Sequence, residues 1–271
     1  MESKEEKQQF LDRSFVLRQV IDDLLEKGDL RLDMALLVFC AGPFDKKIFE
    51  HYGFTNVTLS NLSQNLKKDD FLPYASAFLD VEDVSLESNS FDWCIVHAGL
   101  HHCANPAAAV LEMYRVARVG LLAVEPIDSL LSRVTVRLGL SQEYEVASVV
   151  DKLESAGGGL RFGGLPNLVF RFSRASVTQM IQTAHPEFLH RFRFYERLGI
   201  PWSYLRIRKK PLDRLVLLFE PVIRLFVKCS PLANNIGFAV LVGQAPDDFQ
   251  PWITQDENGA SIFDSSYLGN D

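Results

Sequence analysis

Three of the six histidines stand between positions 97 and 102, at His97, His101 and His102. Imidazole titrates near neutrality, so such a group can take a proton from an attacking hydroxyl. Acidic residues surround them in sequence, with Asp80, Glu82, Asp83 and Asp92 before and Glu112 and Glu125 after. His97, His101 and Cys103 have metal-ligand spacing, but no carboxylate or cysteine pair completes the set, and no metal is expected.

Side chains this close are useful only if the chain presents them on one edge. Phe91 to Val96 and Gly120 to Glu125 are apolar without alternation, as strands covered on both faces should be. The helical run Asn105 to Val116 lies between them and supplies the crossover of a βαβ unit, with the histidines where the first strand ends. Open parallel sheets bind ligands at the carboxyl ends of their strands. Upstream, a helix is expected over Phe10 to Leu25, closed by Gly28. A strand over Met34 to Cys40, a turn at Ala41 to Phe44, a helix over Asp45 to Tyr52 and strands at Asn56 to Leu59 and Phe78 to Asp80 follow.

The run Asp80, Glu82, Asp83, Asn89 to Asp92, Leu100 to His102, Asn105-Pro106, Glu112, Arg115-Val116 and Glu125-Pro126 resembles the class I S-adenosylmethionine-dependent methyltransferases of the small-molecule type. The resemblance covers roughly the first half of the chain. It implies a Rossmann-like α/β fold, a mostly parallel seven-stranded sheet with helices on both faces and an inserted helical cap, and S-adenosylmethionine as cofactor. The glycine-rich turn after the first strand is degenerate: Gly42 remains, Val38 stands in place of the usual acid, and Cys40 and Phe44 replace the flanking glycines. By resemblance, Cys40, Ala41 and Gly42 lie against the methionine part of the cofactor. Asn61 and Leu62, beside Ser60 and Ser63, take the ribose position, where the family has an acid. Asp80 and Val81 take the adenine, and His97 and Ala98 face the sulfonium end. His101 and His97 are equal candidates for the base, and His102 matches a common histidine of the family that is often structural. Glu112 and Arg115, three apart on one helix, are expected to be structural.

The net charge of −7 argues against a nucleic-acid binder, since phosphate backbones are held by Lys and Arg. Four scattered cysteines without a CxxC pair and a charged N-terminal segment point to the cytoplasm. The boundaries read as 1–126 for the N-terminal helix and cofactor-binding part, 127–188 for an inserted cap or lid, 189–246 for the end of the sheet with an amphipathic helix, and 247–271 for an acidic, loosely attached tail held by Phe249 and Trp252. The insert is expected to hold helices at Ile127 to Leu138 and Glu143 to Leu153, mobile glycines at Gly157 to Gly159 and Gly163-Gly164, and a helix capped by Ser173 and running to Ala184. Leu189 to Glu196 and Gly237 to Gly243 are the last two strands, the latter antiparallel. Between them Leu212 to Cys229 reads as one helix whose broad apolar face packs on the domain.

From 161 to 210 ten Lys or Arg stand against two acids, so an anionic acceptor suits that half. The function implied is O-methylation of a small-molecule or glycan acceptor, anionic or lipid-linked, with peripheral membrane contact but no stable span. The alternatives are N-methylation of a small amine or amino sugar, and a non-catalytic scaffold with the same fold.

Overall fold

The computed structural model describes residues 4–62, 67–146, 165–200, 202, 205–206, 211–230 and 232–269. The apolar runs stack into one sheet: β1 (Leu36–Phe39), β2 (Val57–Ser60), β3 (Ala75–Ala77), β4 (Phe91–His97), β5 (Ala117–Pro126), β6 (Arg191–Arg197) and β7 (Asn235–Leu241). Their order is β3-β2-β1-β4-β5-β7-β6. The strands from β3 to β5 are parallel, and β7 runs antiparallel between β5 and β6.

Alternation along each strand explains why the central runs are wholly apolar. Leu36 and Val38 face one core with Trp93 and Ile95, while Leu37 and Phe39 face the other with Cys94 and Val96. Both faces are therefore covered, as parallel sheets require. Helix α1 (Lys4–Glu26) buries Leu17, Val20, Ile21 and Leu24 on the first face, with Ile48 and Phe49 of α2 (Pro43–Tyr52). Helix α4 (Pro106–Val116) and the later helix α6 (Arg174–Ala184) cover the second through Ala109, Val110, Val177 and Ile181. A short α3 (Lys68–Phe71) precedes β3, and α5 (Leu130–Arg137) follows β5.

Side-chain caps set three of these helix starts, the Ser129 hydroxyl accepting from the Ser132 N–H at the start of α5. The Asn105 side chain accepts from the Ala108 N–H and the Ser173 side chain from the Ser176 N–H, each satisfying a donor that the helix leaves open. Glu112 and Arg115 are structural, as expected. Arg115 donates to both Glu112 oxygens and to the Leu86 and Val84 carbonyls, while Glu112 accepts from the Val84 N–H, so the pair clamps the loop before β4.

Three elements differ from the sequence reading. The third strand is Ala75–Ala77 and not Phe78 to Asp80: Phe78 is 64% exposed, and Asp80 only bridges to Asp83. Leu212 to Cys229 is two helices, α7 (Pro211–Leu218) and α8 (Glu220–Cys229), because Pro221 has no N–H to continue the ladder and is tolerated in a first turn. The tail holds a hairpin, β8 (Ile253–Gln255) with β9 (Ser261–Phe263), and Phe249 stacks on Phe188. Trp252 packs edge-on to Tyr267. The helix expected over Glu143 to Leu153 falls mostly outside the described residues, as do Ser63 and the glycines at 157–159 and 163–164.

Candidate functional site

Four parallel strands end on one edge, and each delivers a residue that the sequence singles out. Cys40 follows β1, Asn61 follows β2, His97 closes β4 with Ala98 behind it, and Glu125 lies at the end of β5. Between β1 and β4 the order of the sheet reverses, which opens a crevice at the carboxyl ends. Cys40 and Ala98 are exposed there although Phe39, Val96 and Gly99 beside them are buried. Both have left-handed backbones, with φ of 52° and 54°. That conformation favours glycine, so a cysteine at position 40 carries strain that the missing glycine would avoid. Gly99 complements it, since a Cβ at that position would stand 2.5 Å from the Cys40 Cβ.

Around the turn the contacts are polar. Asp45 accepts from the Gly42 N–H at 2.8 Å through one oxygen and meets His97 Nδ1 at 2.9 Å through the other. Phe44 stacks on the His97 ring, and Arg13 lies 4.3 Å from the centre of the Phe44 ring. The Asn61 side-chain amide donates to the Ala41 carbonyl at 2.7 Å, tying the ends of β1 and β2 together. Ser60 is buried and bonds to the backbone of Leu79. Asp80 accepts from the Glu82 N–H, and Glu82 caps the Ala104 and Asn105 N–H groups, so Asp80 supports the loop that leads to α4. Leu62 is half-buried, and Val81 is buried in the core.

The second polar cluster is centred on Glu125, which is 1% exposed. Its carboxylate accepts from the backbone N–H of Gly99, Leu100 and His101, and meets His101 Nδ1 at 2.6 Å. Burial opposes ionisation of both groups, but their mutual attraction outweighs it. The His101 pKa is held above its ordinary value and that of Glu125 below. A carboxylate accepts only, so the ring carries its proton on Nδ1 and turns Nε2 toward Glu145, 3.7 Å away. Asn167 donates to the His101 carbonyl at 2.7 Å.

His102 is different in kind. Burial, then the neighbouring charge of His101, push its pKa down to about 4, and its Nδ1 has no partner among the described residues. The donor atoms of His101, His102 and Glu145 fall within 4.8 Å of one another. Cys40, Cys94 and Cys103 are free thiols. Burial raises Cys94 and Cys103, which makes them poor nucleophiles near neutrality.

The fold thus brings His97 to Asp45 and His101 to Glu125, while Asp80 turns back to its own loop. Asp45, Glu125, Glu145 and Asn167 are members of these clusters that sequence reasoning did not name as site residues. Asp45 and His97 are 52 residues apart, and only the β1–β4 pairing makes them neighbours.

Residues 42–124 match the family described as "Methyltransferase domain". The match begins at Gly42, within the degenerate turn. No curated protein matches the sequence. Among solved structures, the Synechocystis PCC 6803 magnesium protoporphyrin IX methyltransferase, solved with bound S-adenosylhomocysteine, superposes with a TM-score of 0.53 at 10% identity. The superposition covers 90% of this chain and 89% of that one. A Haloferax volcanii chain from a complex with the Trm112 methyltransferase activator gives 0.54 at 8% identity, over 88% and 92%. The YcgJ protein of Bacillus subtilis gives 0.51 at 11% identity, over 84% and 100%.

Proposed function

We propose that this chain, which has the fold of the class I S-adenosylmethionine-dependent methyltransferases, methylates an oxygen of a small-molecule or glycan acceptor. The open crevice at the β1/β4 reversal supports the cofactor. Cys40 and Ala98 are exposed on its floor, no side chain longer than theirs stands at those positions, and polar groups ring it. Cys40, Ala41, Gly42, Asn61, Leu62, Asp80, Val81, His97 and Ala98 would hold the cofactor, which supplies an electrophilic methyl group when bound. Residues 127–188 would cover the acceptor.

The chain's own residues then have three tasks. The Asp45–His97 pair orients a ring at the end of β4 beside the turn. The buried Glu125 carboxylate fixes His101 in the tautomer that leaves Nε2 basic, and stabilises the ring once it is charged. His101 Nε2 takes the proton of the acceptor hydroxyl, and the Glu145 carboxylate, 3.7 Å from Nε2, favours the charged ring that results. His102, held neutral by its lowered pKa, orients the acceptor and is not the base. The basic balance between 161 and 210 suits an anionic acceptor, and three free thiols suit a reducing compartment such as the cytoplasm.

The His101–Glu125 pair at 2.6 Å carries the assignment of the base. Its test is the variant His101→Ala. Turnover is expected to fall by about 10²-fold or more, with calorimetric binding of S-adenosylhomocysteine within twofold of the parent. Unchanged turnover across a pH series removes His101 from the role. Asn61 supports the second reading, a non-catalytic relative, because an uncharged amide oxygen, a weaker acceptor than a carboxylate, stands at the ribose position. The absence of any thermal shift with S-adenosylmethionine or S-adenosylhomocysteine would make that reading the leading one.

A further inference from the structure

Helices α7 and α8 are amphipathic with the apolar side outward, the reverse of the packing expected from the sequence. Leu215, Leu218, Phe219, Val222, Leu225 and Phe226 are each more than half exposed, and Leu218 reaches 73%. Their spacing of three and four residues makes one stripe that continues across the break at Phe219. The charged side faces the protein instead. Arg224 pairs with Asp12 and Glu220 and lies over Trp202, while Arg206 pairs with Glu220.

A second exposed stripe lies on and just after α5. Leu130, Val134 and Leu138 are exposed at intervals of four, and Leu130 reaches 79%. The Ser129 hydroxyl donates to the Ala233 carbonyl and the Ile127 N–H to the Asn234 carbonyl. These bonds set the start of α5 against the segment that leaves α8, at the β5 end that also carries Glu125. An apolar surface of this extent, at the rim of a site and turned to water, marks a contact face.

We propose that these two stripes dock the protein on an anionic bilayer and present the crevice to an acceptor drawn from the membrane. Charge selects the occupant. Residues 205–230 hold seven Lys or Arg against Asp213 and Glu220; Arg206 and Arg224 are spent on Glu220 and Asp12, and Arg208, Lys209, Lys210, Arg214 and Lys228 leave the segment basic in a chain of net charge −7. Apolar side chains beside a basic segment match the headgroup and acyl boundary of an anionic leaflet. A second copy of this chain would instead bring two basic segments face to face. No helix among the described residues is long and apolar enough to cross a membrane, so docking is peripheral. The acceptor clause rests on the methyl-transfer reading; the docking itself does not.

The test is co-sedimentation of the full chain with phosphatidylcholine vesicles, with and without phosphatidylserine, for the parent and for Leu218→Glu/Phe226→Glu. The parent is expected to bind the mixed vesicles more tightly than the zwitterionic ones, and the double variant to lose about tenfold or more of that binding. Both positions are exposed, so the variant keeps its fold, checked by an unchanged melting temperature. No binding of the parent to mixed vesicles, or equal binding of the variant, overturns the proposal. A dimer that the same variant abolishes, in a protein that ignores vesicles, assigns the face to a second copy and overturns it too. S-adenosylhomocysteine titration is read separately: vesicle binding without ligand binding upholds docking and sinks the methyl-transfer reading.

Discussion

Glu125→Gln isolates the buried centre of the site. The carboxylate accepts four hydrogen bonds, three from backbone N–H groups and one from His101 Nδ1. An amide oxygen can keep the Gly99 and Leu100 bonds, but the amide nitrogen is a donor set against the two His101 donors. The ring recovers part of the loss by switching tautomer and turning Nε2–H toward the Glu145 carboxylate, 3.7 Å away. Removing one member of a buried pair costs about 3–5 kcal/mol, and this recovery places the expected loss at about 3 kcal/mol. For a chain of this length that is a fall in Tm of roughly 6–12 °C. The pH dependence follows from the directions of the two shifts. Glu125 is lowered, so its contribution is present above the ordinary glutamate pKa and is lost as pH falls through the folded value. His101 is raised, so its contribution is fully present below about 6.5 and is lost as pH rises through the folded value. The gap in Tm between parent and variant, measured by differential scanning fluorimetry from acid to alkaline pH, should therefore be widest between about pH 4.5 and 6.5. A gap below about 2 °C at pH 6, or one that does not change with pH, refutes the reasoning.

Three other perturbations probe the surroundings. Cys40→Gly removes a left-handed cysteine: relief of about 1–2 kcal/mol outweighs the entropy that glycine adds to the unfolded chain, so Tm should rise by a few degrees, and a fall would show that the thiol packs usefully. Gly120→Ala drives a Cβ to 2.8 Å from the Trp93 ring and 2.9 Å from the Val240 carbonyl, and denaturant melts should report a loss of about 1–3 kcal/mol. Asp80→Ala frees the Glu82 N–H and loosens the loop into α4, so calorimetry should show weaker S-adenosylhomocysteine binding, whereas Asp80→Asn retains an acceptor for the turn. Equal affinities for all three Asp80 forms would remove that residue from the cofactor site.

Much of the fold was legible because it follows from short-range rules. Runs such as Leu36–Phe39 and Leu121 to Val124, apolar without alternation, require cover on both faces, and Asn105 and Ser173 mark helix starts through bonds only three residues long. The edge on which the histidines gather was legible for the same reason. Their partners were not: Asp45 meets His97 across 52 residues and Glu125 meets His101 across 24, so sheet register, and not any local pattern, creates both pairs. Phe78 looked like a strand residue by its apolar character, yet the sheet pairs Ala75–Ala77 with β2 and leaves Phe78 outside. The stripe on α7 and α8 shows the division most plainly. Periodicity establishes that one side of a helix is apolar, but not which way that side faces. The ion pair of Arg224 with Asp12 turns the Arg224 side inward, and only the packed chain, in which residues 12 and 224 are neighbours, could decide it.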